Sequence, residues 1–172
     1  LASCGLLSEK MYGPSVRPYQ PINIWDVVGL PGGNTRDYKQ DTGESLHRRT
    51  LYSFWKRMAP PPNMDAFNAP SREVCTVKRE RTNTPLQALV TLNDPQFVET
   101  SRKLAEAALR NSSDENSTAL YIADRTLCRP LAGDERAIIL AAFRDFVSHY
   151  RDAPEAATQL VGVGETKPAE GL

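Results

Sequence analysis

Residues 70–98, PSREVCTVKRERTNTPLQALVTLNDPQFV, constrain the fold more than any other stretch. Two prolines in it follow helix-capping residues: Pro85 after Asn83-Thr84, and Pro95 after Asn93-Asp94. Proline at the first helical position gives up only an N–H that a helix start leaves unpaired, and its fixed φ suits the helix. Asn, Thr and Asp accept the remaining exposed N–H groups. The pattern predicts a short helix over LQALVTLN and a second from Pro95 to about Arg110, with Phe97, Leu104, Ala105 and Ala108 as its apolar stripe.

Before the first of these starts, VCTVKRER (residues 74–81) alternates. Period two puts Cys75, Val77, Arg79 and Arg81 on one face and Val74, Thr76, Lys78 and Glu80 on the other, which predicts a strand with Cys75 as a buried thiol. RTLYSFWKR (residues 49–57) also alternates and is rich in aromatic residues, so it reads as a second strand, with a short helix as the alternative. Paired antiparallel, the two make a small ribbon. Between them Pro60-Pro61-Pro62 is rigid and extended, and MDAFNAPSRE is a loop anchored by Phe67. Residues 2–12 read as the end of a helix stopped by Gly13-Pro14. GPSVRPYQP is extended, Trp25 is a core plug, and residues 29–45 are loop. Gly32-Gly33-Asn34 lacks the spacing of a phosphate loop.

Past Asn111 the pattern is helical again. A helix starts at Ser117 or Thr118 and runs through Leu127, with Leu120, Ala123 and Leu127 inward. Asp134 caps another to about Tyr150, carrying Ile138, Ile139, Ala142, Phe143, Phe146, Val147 and Tyr150 on one side. A last short helix opens at Pro154 and ends near Gly162. The expected fold is α+β and mostly α-helical: a helical bundle with a minor two-stranded antiparallel ribbon. It forms one domain over residues 1–172, loop-rich over 13–81 and helical over 82–164.

The length of 172 residues suits one domain. Leu1 and the loose GETKPAEG tail lead us to expect a piece of a longer chain. No run approaches the ~18 apolar residues of a membrane span. A net charge of zero argues against a dedicated nucleic-acid binder. The charge is unevenly placed, however: residues 46–81 carry a net +5 and residues 112–172 a net −4. Either the two regions neutralise each other or the first presents a basic face to an anion. Cys4, Cys75 and Cys128 show neither zinc nor CxxCH haem spacing.

The run GPSVRPYQP, then RRTLYSFWKRMAPPP, then APSREVCTVKRERTNTPLQALVTLNDPQFVE and ADRTLCRPLAGDE, resembles the C-terminal domain of unknown function in planctomycete cytochrome-c-type proteins. The likeness covers about Leu6 to Gly164. It implies a secreted or cell-envelope (periplasmic) multidomain protein whose haem c, where present, sits upstream; this fragment carries no cofactor. Leu127-Cys128-Arg129-Pro130 departs from the usual Leu-Gly-Arg-Pro of that family. The resemblance implies no catalytic residue.

The residues themselves offer little chemistry. His47 lies in a loop beside two arginines, and His149 near a helix end; both read as solvent-facing or dipole-compensating. Among the carboxylates, Glu80 reads as an ion-pair partner of Arg79 and Arg81, and Asp94 as a cap. The remaining candidates are cationic. Arg79 and Arg81 share a strand face, Lys56 comes from the neighbouring strand, and Arg72 and Gln87 flank them. This group offers a grip on sulfate, phosphate or carboxylate, with the helix start at Thr84-Pro85 adding N–H donors. The alternative is that the arginines pair with acidic helices. The expected role is a scaffold or interaction module whose partners are other domains of the same chain and an anionic polysaccharide, with no nucleic acid. The rival is part of an extracellular polysaccharide-degrading or oxidoreductase enzyme, with Asp65, Arg72, Arg79 and Gln87 lining a cleft shared with other domains.

Overall fold

A computed structural model describes residues 1–26, 28–29 and 36–169. The Gly32-Gly33-Asn34 turn lies outside the described residues. The chain divides into two compact units, Leu7–Phe97 and Leu1–Leu6 with Val98–Leu172. Among the described residues there are six α-helices: α1 (Pro62–Ala66), α2 (Pro85–Asn93), α3 (Pro95–Asn111), α4 (Glu115–Leu127), α5 (Gly133–Asp152) and α6 (Pro154–Val161).

The mostly helical character matches the expectation, but the two-stranded ribbon does not form. Residues 50–52 instead make a 3-10 turn, and Ser53 pairs in parallel sense with Val16. Residues 74–81 are irregular and exposed throughout, Val77 completely so. The physical reason is composition. Half of VCTVKRER is charged, so neither face of a strand has enough apolar surface to bury. Cys75 is therefore exposed and free, as is Cys128.

The Leu7–Phe97 unit is held by segments crossing between its two ends. The Val16 N–H donates to the Tyr52 carbonyl at 2.8 Å, and the Phe54 N–H to the Val16 carbonyl at 2.7 Å. Trp25 is the plug, only 1% exposed, with the Tyr38 ring edge-on at 4.8 Å and Phe54 at 5.4 Å. His47 is buried rather than solvent-facing, and its carbonyl accepts the Ser8 N–H at 2.9 Å. Arg48 is also buried. Its guanidinium stacks on Tyr52 at 3.8 Å and donates to the carbonyls of Tyr12 at 2.5 Å, Pro14 at 3.1 Å and Lys10 at 3.3 Å. It thereby gathers a segment expected to end a helix. Only one 3-10 turn, Ala2–Cys4, forms there, and Gly5 (φ 80°) closes it rather than Gly13.

Pro62 starts α1 instead of closing an extended run before a loop. Its ring takes the N1 position, and the preceding Pro61 is fully buried. Of the two caps the sequence offers for α2, Thr84 is the one used, and Gln87 completes a reciprocal capping box that the sequence reading did not include.

In the other unit, α4 starts two residues before the predicted position. Asp114 accepts the N–H groups of Asn116 at 2.8 Å and Ser117 at 3.0 Å. At the start of α5, Glu135 accepts the Ala132 N–H and pairs with Arg129 at 2.7 Å. The Arg129 hydrogen bond holds the Glu135 carboxyl down at about 2. On α4 it is Ala119 and Ala123 that are buried, while Leu120 and Leu127 are exposed. On α3, Leu104 and Ala108 are buried as expected, but so are Glu99 and Glu106.

Candidate functional site

The residues of the cationic group read from the sequence make separate contacts. Arg72 sits at φ 65° and donates to the carbonyls of Ser53 and Thr50, each at 3.1 Å, while its guanidinium lies 5.0 Å from the Trp55 ring. It closes the carbonyl end of the 3-10 turn. Gln87 is buried and engaged on both sides of its amide. Its Nε2 donates to the Ala66 carbonyl at 3.0 Å and the Thr82 hydroxyl at 2.7 Å, and its Oε1 accepts the Thr84 N–H at 3.2 Å. It thus ties α1 to α2. The Lys56 ammonium lies 4.6 Å over the Trp25 ring. Asp65 is exposed on α1. Arg79 and Arg81 stand on the exposed 74–81 segment with no hydrogen bond or ion pair among the described residues. None of these six lines the cavities described next.

Two adjoining cavities in the Leu7–Phe97 unit share Gln20, Pro21 and Ile22. The larger, about 480 Å³, is an apolar cleft. Pro21 and Ile22 line it with Pro62 of α1 and Leu89 and Val90 of α2. Its polar end is built by Asn63 and Asp94. Pro61 and Pro62 place Asn63 there by forcing α1 to begin just before it. Asp94 is held at the mouth by its capping role: its Oδ1 accepts the Gln96 N–H at 2.9 Å. Burial raises the Asp94 pKa, against hydrogen bonds from the Gln96 and Phe97 backbone and the Asn63 side chain. Asn63 is 9% exposed, and its Oδ1 has no hydrogen-bond partner among the described residues.

The smaller cavity, about 220 Å³, is polar, with Trp25, Asp26, Asp37, Tyr38 and Gln40 in its lining. A turn through Asn23 (φ 62°) presents Trp25, its carbonyl accepting the Gly29 N–H at 2.8 Å. The Tyr38 hydroxyl donates to the Pro18 carbonyl, and burial, with Asp41 adding to it, pushes its pKa up. The indole Nε1 of Trp25 and both amide atoms of Gln20 are buried and have no hydrogen-bond partner among the described residues. Each such atom costs about 1–3 kcal/mol relative to a satisfied one. With Asn63 Oδ1 they make four such atoms, all on residues that line one or both cavities.

The arrangement supplies recognition chemistry: amides, an indole N–H, carboxylates and apolar walls. Neither His47 nor His149 lines it. Among the described residues, no group of three or more His, Cys, Asp or Glu is placed to hold a metal ion. Sequence reasoning placed Gln20 only in an extended, proline-bounded run and gave Asn63, between Pro62 and the MDAFNAPSRE loop, no role. The signal available was the prolines on either side of Gln20 and just before Asn63, which predict rigid backbone but not what the backbone encloses.

These features define a mostly helical chain with two adjoining cavities in its Leu7–Phe97 unit. The chain belongs to the PSD1 family, described as Protein of unknown function (DUF1553), whose family model matches residues 1–143. No curated protein and no solved structure matches the chain.

Proposed function

We propose that the chain is a binding module that works within a larger protein. Gln20 carries the reading: a side chain with both amide atoms buried and unpartnered, set in the wall between an apolar cleft and a polar cavity. Buried amides without partners are rare in folded chains and are tolerated where they serve recognition. The resemblance to the C-terminal domain of planctomycete cytochrome-c-type proteins supplies the setting: a secreted or cell-envelope chain with other domains as partners and any haem c upstream. An enzymatic role with Asp65, Arg72, Arg79 and Gln87 in one cleft is less well supported, because Arg72 and Gln87 are already engaged in holding backbone carbonyls.

The Gln20 amide and the Trp25 indole N–H both give resolvable side-chain signals in 1H–15N spectra. A panel of soluble peptides, glycosides and aromatic acids should contain compounds that shift them saturably. If no member shifts either signal at millimolar concentration, the module reading fails.

Arg79 and Arg81 favour a second reading, an anion-facing surface for an anionic polysaccharide, because both guanidinium groups are exposed and unpaired among the described residues. Calorimetry with sulfated and uronic oligosaccharides should give heat that Arg79→Ala with Arg81→Ala removes. Heat unchanged in the double variant, or none at all, would dismiss it.

A further inference from the structure

We propose that two copies of this chain pair through α5, laid antiparallel with Ala142 at the crossing point. The helix has an unfinished face. It is the longest among the described residues, yet none of its residues is buried. A packed amphipathic helix hides an apolar stripe about a hundred degrees wide. Here that stripe runs through Ile138, Ile139, Ala142, Phe143, Phe146 and Val147, and Ile138 and Phe146 are 69% and 63% exposed. α4 covers only one edge of it. Between Ile122 and Leu127 on α4 and Ile139 and Phe143 on α5, an apolar groove of about 260 Å³ stays open. α5 lines neither cavity at Gln20, so this face stands apart from the module reading.

The stripe is complementary to itself. Ile138, Ala142 and Phe146 follow one another at intervals of four and form a single ridge. A two-fold axis at Ala142 sets each residue against the one equally far beyond Ala142. Ile138 of each copy therefore meets Phe146 of the other, and the contact is made twice. Ala142, the smallest side chain of the ridge, lets the backbones approach where they cross. Phe146 of the second copy then stands beside Ile139, at the mouth of the groove between α4 and α5. Charge follows the same axis. The exposed Asp134 lies near the start of α5 and the exposed His149 near its end, so each copy's Asp134 stands beside the other's His149, with Arg151 next along. Glu135 is already paired with Arg129, and Asp152 falls just past the overlap. A parallel pair would bring Asp134 against Asp134 and align the helix dipoles.

One helix face on another makes a small interface, so the association is weak and depends on concentration. Sedimentation equilibrium of the full chain from about 1 to 500 µM, a span that covers weak pairing, should show the mass rising towards twice the monomer's. Phe146→Asp and, separately, Ile138→Asp should each weaken the association tenfold or more with unchanged circular dichroism. Val77→Asp, on the exposed 74–81 segment, should leave it unaltered. Asp134→Lys should weaken it threefold or more, and Asp134→Lys combined with His149→Asp should recover it. A chain that stays monomeric throughout overturns the pairing and leaves the face to a partner of other chemistry. A dimer that survives both apolar variants has its interface elsewhere, which also overturns it. If the charge swap fails to recover what Asp134→Lys loses, the antiparallel register is wrong.

Discussion

Glu99 Oε1 accepts the Thr166 backbone N–H at 2.7 Å and the Thr166 hydroxyl at 2.6 Å. Glu99 is fully buried on α3, so a segment far along the chain supplies the donors that its carboxyl needs. Arg102, one turn on, donates to the carbonyls of Val161, Val163 and Thr166, and Lys103 to that of Lys167 at 2.9 Å. The residues after α6 are thereby laid along α3.

Gly164 is what lets that segment approach. It adopts φ 92°, and a Cβ added there would stand 2.7–2.8 Å from the Glu99 side chain. Gly164→Ala should cost about 1–3 kcal/mol, from the left-handed backbone and the forced retreat of Glu99. Hydrogen exchange should show the Thr166 amide losing protection first. An unchanged Thr166 exchange rate and unchanged melting would count against this close approach.

Gln87 was read as a ligand contact and serves instead as the joint between α1 and α2. Gln87→Ala removes one half of the capping box and leaves the Ala66 carbonyl without its donor. The expected loss in urea unfolding is about 2 kcal/mol, from a cap worth ~1 kcal/mol and an orphaned carbonyl of similar cost. A loss below ~0.5 kcal/mol would mean that the joint does not matter.

The Arg48 guanidinium binds three backbone carbonyls. Arg48→Ala should lower stability by about 1.5–3 kcal/mol, the range for hydrogen bonds from charged donors. Arg48→Lys should recover little, because one ammonium cannot reproduce the planar fork or its stacking on Tyr52. Equal stability of Arg48→Lys and the parent chain would refute this account.

Asp94 gives a pH dependence of defined sign. Its folded pKa is raised above the ordinary 3.8, chiefly by burial, so the fold favours the protonated form. That contribution is fully present below the unfolded value and is lost as pH rises through the folded one. Asp94→Asn keeps the capping oxygen and stays neutral. Its stability relative to the parent should therefore be near zero at pH 3 and increasingly positive towards pH 7. A difference that is flat between those pH values would contradict the assignment.

The helix starts were legible because capping is local. Thr84-Pro85 and Asp94-Pro95 announce α2 and α3 through side chains that reach only two or three residues on. The start of α4 was missed by two residues, since Ser117 is as good a cap as Asp114 on its own and only the hydrogen bonds decide between them. The ribbon was misread because alternation reports which residues could share a face, not whether anything covers that face. At residues 74–81 nothing apolar enough exists to be covered. The apolar residues of α5 illustrate the same limit: Ile138 and Phe146 lie on the expected stripe yet remain 69% and 63% exposed.

By itself, then, the sequence determined where α2, α3 and α6 begin, the extended path of GPSVRPYQP and the burial of Trp25, all properties of short-range sterics, capping and apolar volume. Only the tertiary structure decided where the arginines go and what Gln20 does. Arg48 and Arg72 find carbonyls many residues away, and the Gln20 amide acquires its surroundings from Trp25 and its neighbours on one side and from α1 and α2 on the other. A guanidinium or an amide has the same local preferences whether it meets a backbone carbonyl, a carboxylate or a ligand. Which one it meets is fixed by long-range packing, and no spacing in the chain encodes that.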